Sequence, residues 1–230
     1  MCTVSTLFIV ATPIGNLDDF SPRAVSVLNA ADYIACEDTR TSSRLLKHYG
    51  IHTPTFSFHQ HNEHKKVHYV LQLLEGNQSV ALISDAGMPG ISDPGFLAIR
   101  EARKKGYPVE VIPGADAVTT ALVSSGLPTE RYIFEGFLPH KKGRQKRIQA
   151  LIDEQRTVVF YESPHRILKL LGEIEEHLGA DRMVAVCREL TKKFEEVQRG
   201  LAKDVRLVFA KRESIKGEIV VVIAGKGYTE

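Results

Sequence analysis

Apolar residues along this chain come in short dense runs, each stopped by a cluster of glycine, proline or polar residues. Leu7-Phe8-Ile9-Val10-Ala11, Tyr33-Ile34-Ala35-Cys36, Phe56-Ser57-Phe58, Val80-Ala81-Leu82-Ile83 and Val109-Glu110-Val111-Ile112 are too short for helices and read as buried strands. Between them the spacing turns helical. Ser21-Pro22 reads as an N-cap followed by proline at the first helical position, with Ala24, Val25, Val27 and Leu28 as the apolar face. A helix from about Ser42 to His48 is closed by Gly50, and Lys65 to Leu74 buries Val67, Val70, Leu71 and Leu74. Phe96-Leu97-Ala98-Ile99 opens a helix whose basic end, Arg100 to Lys105, suits the negative pole of the helix dipole before Gly106 stops it. Strands and helices alternating at this spacing predict a mostly parallel sheet covered by helices.

The second half has another rhythm. A helix is expected over Ala117 to Ser125, a strand over Tyr132-Ile133-Phe134, a turn over Gly136-Phe137-Leu138-Pro139 and a helix from the basic segment to about Asp153. Thr157 to Tyr161 reads as a strand, with Ser163-Pro164 capping a helix from His165 to His177. Met183 to Cys187 and stretches around Phe194 to Gln198 and Gly217 to Ala224 add strands without long helices between the last ones, which predicts a mixed sheet. The fold class is therefore α/β in two domains, 1–115 and 116–230.

Composition narrows the classes. A chain of 230 residues with 43% hydrophobic and 25% charged residues reads as soluble, and no apolar run nears the roughly 20 residues of a membrane span. The start, Met1 to Leu7, has no basic or cleavage-site pattern of a secretion signal. Cys2, Cys36 and Cys187 are far apart and form no C-x-x-C pair, which argues for a reducing, cytoplasmic setting. A formal charge of +2 does not force a nucleic-acid reading, but His140 to Arg147 gathers Lys141, Lys142, Arg144, Lys146 and Arg147 with no acid. That run suits the phosphates of a polyanion, or simply a solvated helix start.

The candidate chemistry centres on Ser84 to Gly95, which follows the fourth strand without a spacer. Three glycines and two prolines in twelve residues let the backbone approach a ligand closely, and the loop far exceeds the usual connection of about 2–6 residues. Open α/β sheets bind ligands beyond the carboxyl ends of their strands, where this loop must lie. Thr12 to Asn16, Glu37 to Arg40 and Pro113 to Asp116 are further turn-rich or polar strand ends. His59, His61, His64 and His68 raise the question of a metal. The H-E-x-x-H order is absent and no cysteine is near, so this reads as a polar loop that could face substrate, and no metal is expected. P-loop, G-x-G-x-x-G and G-x-S-x-G patterns are missing.

TPIGNLDD, EDTR, SFHQHNE, SDAGMPGISDPG, VIPGADAV, EGFLP, FYESPHRI and RELTKKFEE occur here in the order found in the ribosomal RNA small subunit methyltransferase I family. This family is a bacterial branch of the tetrapyrrole methylase superfamily, and the resemblance runs from about Leu7 to Gly225. It departs at Ala115-Asp116, where relatives often carry proline or another small residue and a serine. Many relatives also run several tens of residues past the position of Glu230.

The resemblance implies a two-domain tetrapyrrole-methylase-like fold, with S-adenosylmethionine in the cleft between the domains. It implies methyl transfer to the ribose 2′-hydroxyl of a cytidine in the decoding region of 16S ribosomal RNA, free or in the 30S subunit, and a homodimer. By the family pattern Pro13, Asp85, Gly87, Met88, Pro89, Gly90 and Ile91 hold the cofactor from the first domain, and Phe137, Tyr161, Leu190 and Gly217 from the second. Asp38, Arg40, Glu162, Arg188, Glu189 and Lys193 form the group from which acid and base work is expected, because a ribose hydroxyl is a poor nucleophile at neutral pH. Lys141, Lys142, Arg144, Lys146 and Arg147 are the expected RNA contacts. A tetrapyrrole C-methyltransferase and a non-catalytic RNA-binding module remain the alternatives.

Overall fold

The five apolar runs of the first half all become strands: β1 (Leu7–Val10), β2 (Tyr33–Cys36), β3 (Thr55–Ser57), β4 (Val80–Ile83) and β5 (Val109–Ile112). They pair in the order β3-β2-β4-β1-β5, each pair parallel. The sheet lies in the first of two units, Met1–Asp116 and Ala117–Glu230, of a computed structural model that describes residues 5 to 230.

Because strand side chains alternate between faces, each strand serves two cores. Val80 and Leu82 join a layer with Val67, Val70, Leu71 and Leu74 of α3 (Glu63–Glu75) and Ala98 and Ala102 of α4 (Phe96–Lys104). Ala81 and Ile83 face the other way, towards Ala24 and Leu28 of α1 (Pro22–Ala30) and Leu46 of α2 (Thr39–His48). Full burial of such a side chain is worth about 1.5–3 kcal/mol, so β4, buried at all four positions, is the best-anchored strand of the sheet. The chain leaves β1 through α1 for β2 on one side, and leaves β4 through α4 for β5 on the other. Neighbours β1 and β4 therefore send their connections in opposite directions, which opens a crevice at their carboxyl ends.

In the second unit β6 (Tyr132–Phe137), β7 (Thr157–Glu162), β8 (Met183–Arg188), β9 (Glu196–Leu201) and β10 (Ile219–Ile223) pair in the order β6-β7-β10-β8-β9. Only β6 and β7 run parallel, so the sheet is mixed. Val158, Phe160, Val184, Val186, Val221 and Ile223 pack on one face against α7 (Ile167–His177), α8 (Ala202–Ala210) and Ile148 of α6 (Arg144–Gln149). The opposite face meets α5 (Ala117–Ser124), where the Cys187 thiol donates to the Ala121 carbonyl at 3.7 Å.

The departures from the sequence reading have local causes. Helix α2 starts at Thr39, not Ser42, because the Asp38 carboxylate accepts from Arg40 N–H at 2.8 Å and caps it. Strand β6 continues into the expected turn as far as Phe137 by a register shift at Gly136, which takes a left-handed φ of 63°. Helix α6 has only six residues. Ser163 does not cap α7: its hydroxyl accepts from Arg166 Nε at 3.2 Å, and the helix starts at Ile167. Helix α8 lies in the stretch where no helix was expected. Its inner positions Ala202, Val205 and Phe209 are spaced for a helix, but exposed Leu207 and Val208 blur the pattern. Among the described residues no helix is long and apolar enough to cross a membrane.

Candidate active site

Three loops of the first unit meet at the carboxyl ends of β1, β4 and β5. Thr12 N–H donates to the Gly87 carbonyl at 2.9 Å and Gly87 N–H returns the bond at 3.0 Å, so the first two loops are joined main chain to main chain beside the switch point. Buried Thr12 also donates its hydroxyl to the Ser84 carbonyl at 3.2 Å. Gly87 has φ 78°, and a Cβ there would stand 3.4 Å from Ile14 Cγ2 and 3.8 Å from the Ala115 carbonyl. At Gly114 a Cβ would meet that of Ala11 at 2.9 Å. Gly87 is thus required by its φ and Gly114 by the Ala11 Cβ, and the loops close up main chain to main chain.

The rest of the glycine loop is held from below. Gly90 N–H donates to the Pro94 carbonyl at 3.1 Å, which closes a turn containing Ser92 at the strained φ of 63°. Glu63 Oε1 accepts from Gly95 N–H at 3.0 Å and Leu97 N–H at 3.3 Å, capping α4 with a side chain of α3. This gives the SFHQHNE stretch its place. The His59 to Asn62 turn, with His59 N–H on Asn62 Oδ1 at 2.8 Å, sets Glu63 under the loop. His61, His64 and His68 are exposed, and among the described residues no group of three or more His, Cys, Asp or Glu could hold a metal ion.

Carboxylates gather at the neighbouring ends of β2 and β4. Asp85 N–H donates to Glu37 Oε2 at 3.3 Å and Asp38 N–H to Asp85 Oδ1 at 3.1 Å. Burial raises the Glu37 and Asp85 carboxyls above their ordinary values, and the neighbouring carboxylates add to it. For Asp93, burial first, then Glu37 and Asp85, push the carboxyl up to about 7. Asp38 behaves oppositely. Hydrogen bonds from the Arg40 side chain and main chain pull it down to about 2, with Arg40 Nη2 at 2.8 Å from Oδ2. A carboxylate so acidic and so engaged is a weak proton acceptor, whereas Asp93 exchanges its proton near neutrality. Glu37 and Asp93 were not singled out in the sequence. Their positions, directly after β2 and within the glycine loop, were the available signal.

Of the other first-unit candidates, Pro13 and Pro89 are buried, Met88 packs on the α3–α4 core and Ile91 is 45% exposed. In the second unit Phe137, 52% exposed, and Tyr161 stand ring to ring with centroids 5.4 Å apart. Arg188 is tied to Glu196 at 3.1 Å and to the carbonyls of Lys216 and Phe194. Glu189 takes φ 53° and accepts from Glu218 N–H at 2.9 Å and Lys192 Nζ at 3.0 Å. Gly217 is required opposite it, since a Cβ there would lie 2.5 Å from Glu189 Cγ. Leu190 is buried beside this turn, and Lys193 is exposed over the Phe194 ring.

Two assignments are corrected. Arg144, expected at the surface as an RNA contact, is 1% exposed because it shares the inner face of α6 with Ile148 one turn on. Glu162, expected to do acid or base work, has a fully enclosed side chain, held by Arg144 Nη2 at 3.2 Å and Arg166 Nε at 2.9 Å. Lys141, Lys142, Lys146 and Arg147 are exposed as expected, and Arg147 pairs with Glu135 at 2.9 Å.

Comparison with known proteins agrees with this architecture. The model for tetrapyrrole (corrin/porphyrin) methylases matches residues 6–206. The ribosomal RNA small subunit methyltransferase I of Pasteurella multocida is 49% identical over 96% of this chain and 79% of its own length. The protein of the same name from Pseudomonas aeruginosa is 48% identical over 97% of this chain and 80% of its own. Among solved structures, the methyltransferase CobJ superposes with a TM-score of 0.73 at 15% identity, covering 99% of this chain and 97% of that one. The cobalt precorrin-4 methyltransferase CbiF superposes at 0.70 and 17%, covering 97% and 96%. The chain therefore belongs to the tetrapyrrole (corrin/porphyrin) methylase family, whose methyl donor is S-adenosylmethionine.

Proposed function

We propose that this protein methylates the ribose 2′-hydroxyl of a cytidine in the decoding region of small-subunit ribosomal RNA. The observation that carries the reading is the three-loop cradle at the β1/β4 switch point, where Thr12 and Gly87 join main chain to main chain and Gly114 packs on Ala11. Its fit to the methyl donor is twofold. Gly87 and Gly114 let the loops close on one another so that main-chain groups line the strand ends, and Glu37 and Asp85 beside them offer negative potential to a cation. When bound there, S-adenosylmethionine supplies an electrophilic methyl group on its sulfonium.

The chain's own residues then have two tasks. Main-chain groups of Asp85, Gly87, Met88, Pro89, Gly90 and Ile91, with Pro13, position the donor, and positioning is the larger share of an in-line transfer. Removing the hydroxyl proton falls to a carboxyl that changes state near neutral pH. Asp93 has that property, and ion-paired Asp38 does not. The Asp38–Arg40 pair orders the start of α2 next to Asp85. Within the second unit, Phe137, Tyr161, Leu190 and Gly217 are the proposed donor contacts, and the strained Glu189 turn leads into exposed Lys193.

An RNA acceptor is supported by the names of the relatives and by exposed Lys141, Lys142, Lys146 and Arg147. The test is to map ribose methylation in small-subunit RNA from cells with and without the gene. Loss of one cytidine 2′-O-methyl group is expected in its absence. An unchanged map, with methylation of a tetrapyrrole lost instead, would replace this reading.

A further inference from the structure

Arg144 sits in the most basic stretch of the chain and yet faces inward. Its Nε donates to both Glu173 oxygens, at 3.0 and 2.8 Å, and its Nη2 to Glu162 Oε2 at 3.2 Å. Glu162 Oε1 accepts from Ser163 N–H at 2.7 Å and lies 2.9 Å from Arg166 Nε, and Arg166 Nη1 reaches the Leu138 carbonyl at 3.3 Å. Arg144 and Arg166 thus share two carboxylates inside the second unit, with half-exposed Lys169 3.9 Å from Glu173 Oε1 and Arg144 Nη1 buried without a hydrogen-bond partner among the described residues. The two arginines and their carboxylates tie together the segment after β6, helix α6, the end of β7 and the middle of α7.

Helix α6 needs such a tie. It has six residues, a left-handed glycine at its N-cap and no side-chain cap, so it has little stability of its own. Its inner face is Arg144 and Ile148, and the residues around them carry the exposed lysines 141, 142 and 146, none in an ion pair among the described residues. An apolar side chain would hold a helix against the core as well as a buried ion pair does, often better. What a guanidinium fork adds is direction, because its Nε and Nη2 meet two carboxylates on different elements at once.

We propose that Arg144 is a positioning residue for the RNA acceptor: buried, it fixes α6 so that Lys141, Lys142 and Lys146 stand where phosphates are met. The inference rests on the reading of the acceptor as RNA. It gives Glu162 and Glu173 the task of orienting Arg144.

The test compares three variants with the wild type, measuring affinity for a small-subunit RNA fragment over a salt series, S-adenosylmethionine affinity and the thermal midpoint. Lys141→Ala/Lys142→Ala/Lys146→Ala should weaken RNA binding and flatten the slope of log affinity against log salt by about 2. Arg144→Met/Glu173→Met removes the buried pair and leaves Glu162 with Arg166. It should keep the midpoint and donor affinity and still lose about tenfold in RNA affinity at about 0.15 M salt. Arg144→Lys, which keeps the charge without the fork, should also lose RNA affinity, and it decides the matter if the double variant does not fold. Wild-type RNA binding in a folded double variant or in Arg144→Lys, alongside a weakened lysine variant, would overturn the positioning role and leave the RNA reading intact. Wild-type binding by the lysine variant would overturn both.

Discussion

Replacing Asp93 by asparagine should stabilise the protein in alkali and leave it unchanged in acid. The folded carboxyl titrates at about 7 against an ordinary 3.8, so the fold holds this proton more tightly than the unfolded chain does. A raised value in the folded state means a contribution to stability that is fully present below about 4 and is lost as pH rises through about 7. At full strength the displacement from 3.8 to about 7 corresponds to roughly 4 kcal/mol. Asp93 is only half-buried, and solvent screening reduces this to about 1–2 kcal/mol. Asp93→Asn keeps the size of the side chain and cannot ionise. At about pH 8.5 its midpoint should therefore exceed the wild type by roughly 2–8 °C, and at about pH 4 the two should coincide.

Differential scanning calorimetry at both pH values reads this directly, following the transition of the first unit. No gain at alkaline pH, or an equal gain at both, would refute the reasoning, because neither is the signature of a carboxylate forced to ionise in place. The same variant should bind S-adenosylmethionine and transfer methyl groups at least tenfold more slowly.

Three further outcomes follow from the geometry. Gly217→Ala should lower the thermal midpoint and donor affinity together, since its Cβ would lie 2.5 Å from Glu189 Cγ at φ 95°, at a cost of about 2–5 kcal/mol. Unaltered melting would show that the Glu189 turn yields freely. Glu63→Ala removes the acceptor of Gly95 N–H and Leu97 N–H and should cost about 0.5–2 kcal/mol in urea unfolding, with faster hydrogen exchange confined to the glycine loop and the start of α4. Protection at the wild-type level would remove the capping role. The buried thiols of Cys36 and Cys187, raised by burial to about 11 and about 12, should resist alkylation in the native protein and react only after unfolding. Native labelling of either at a model-thiol rate would contradict their enclosure.

Much of the first unit was legible because its rules are local. Val80 to Ile83 has no polar position, so it had to be a strand covered on both faces, and the twelve residues after it had to lie at a strand end. Ser21-Pro22 announces a helix start by the oxygen of one residue and the fixed φ of the next, and Ser21 accepts from Ala24 N–H as that motif requires. What escaped the sequence depends on partners far along the chain. Arg144 looked like one of five basic surface residues, and only Glu162 and Glu173, on other elements, reveal that it points inward. Asp93 is one aspartate among several in the sequence. Its proton affinity arises from burial and from Glu37 and Asp85, which chain order separates and the parallel sheet gathers. The Asp38–Arg40 pair was visible as two charged neighbours, but the cap that turns both towards helix α2 depends on backbone angles that residue type leaves open.

The measurement closest to the central claim is transfer of labelled methyl from S-adenosylmethionine to small-subunit ribosomal RNA by the purified protein, with the product nucleoside identified. The account predicts label on the ribose of a cytidine, abolished by Gly87→Val, which would place a branched side chain where the glycine loop meets Ile14. Label that appears in no RNA, or appears equally with the Gly87→Val protein, would contradict it.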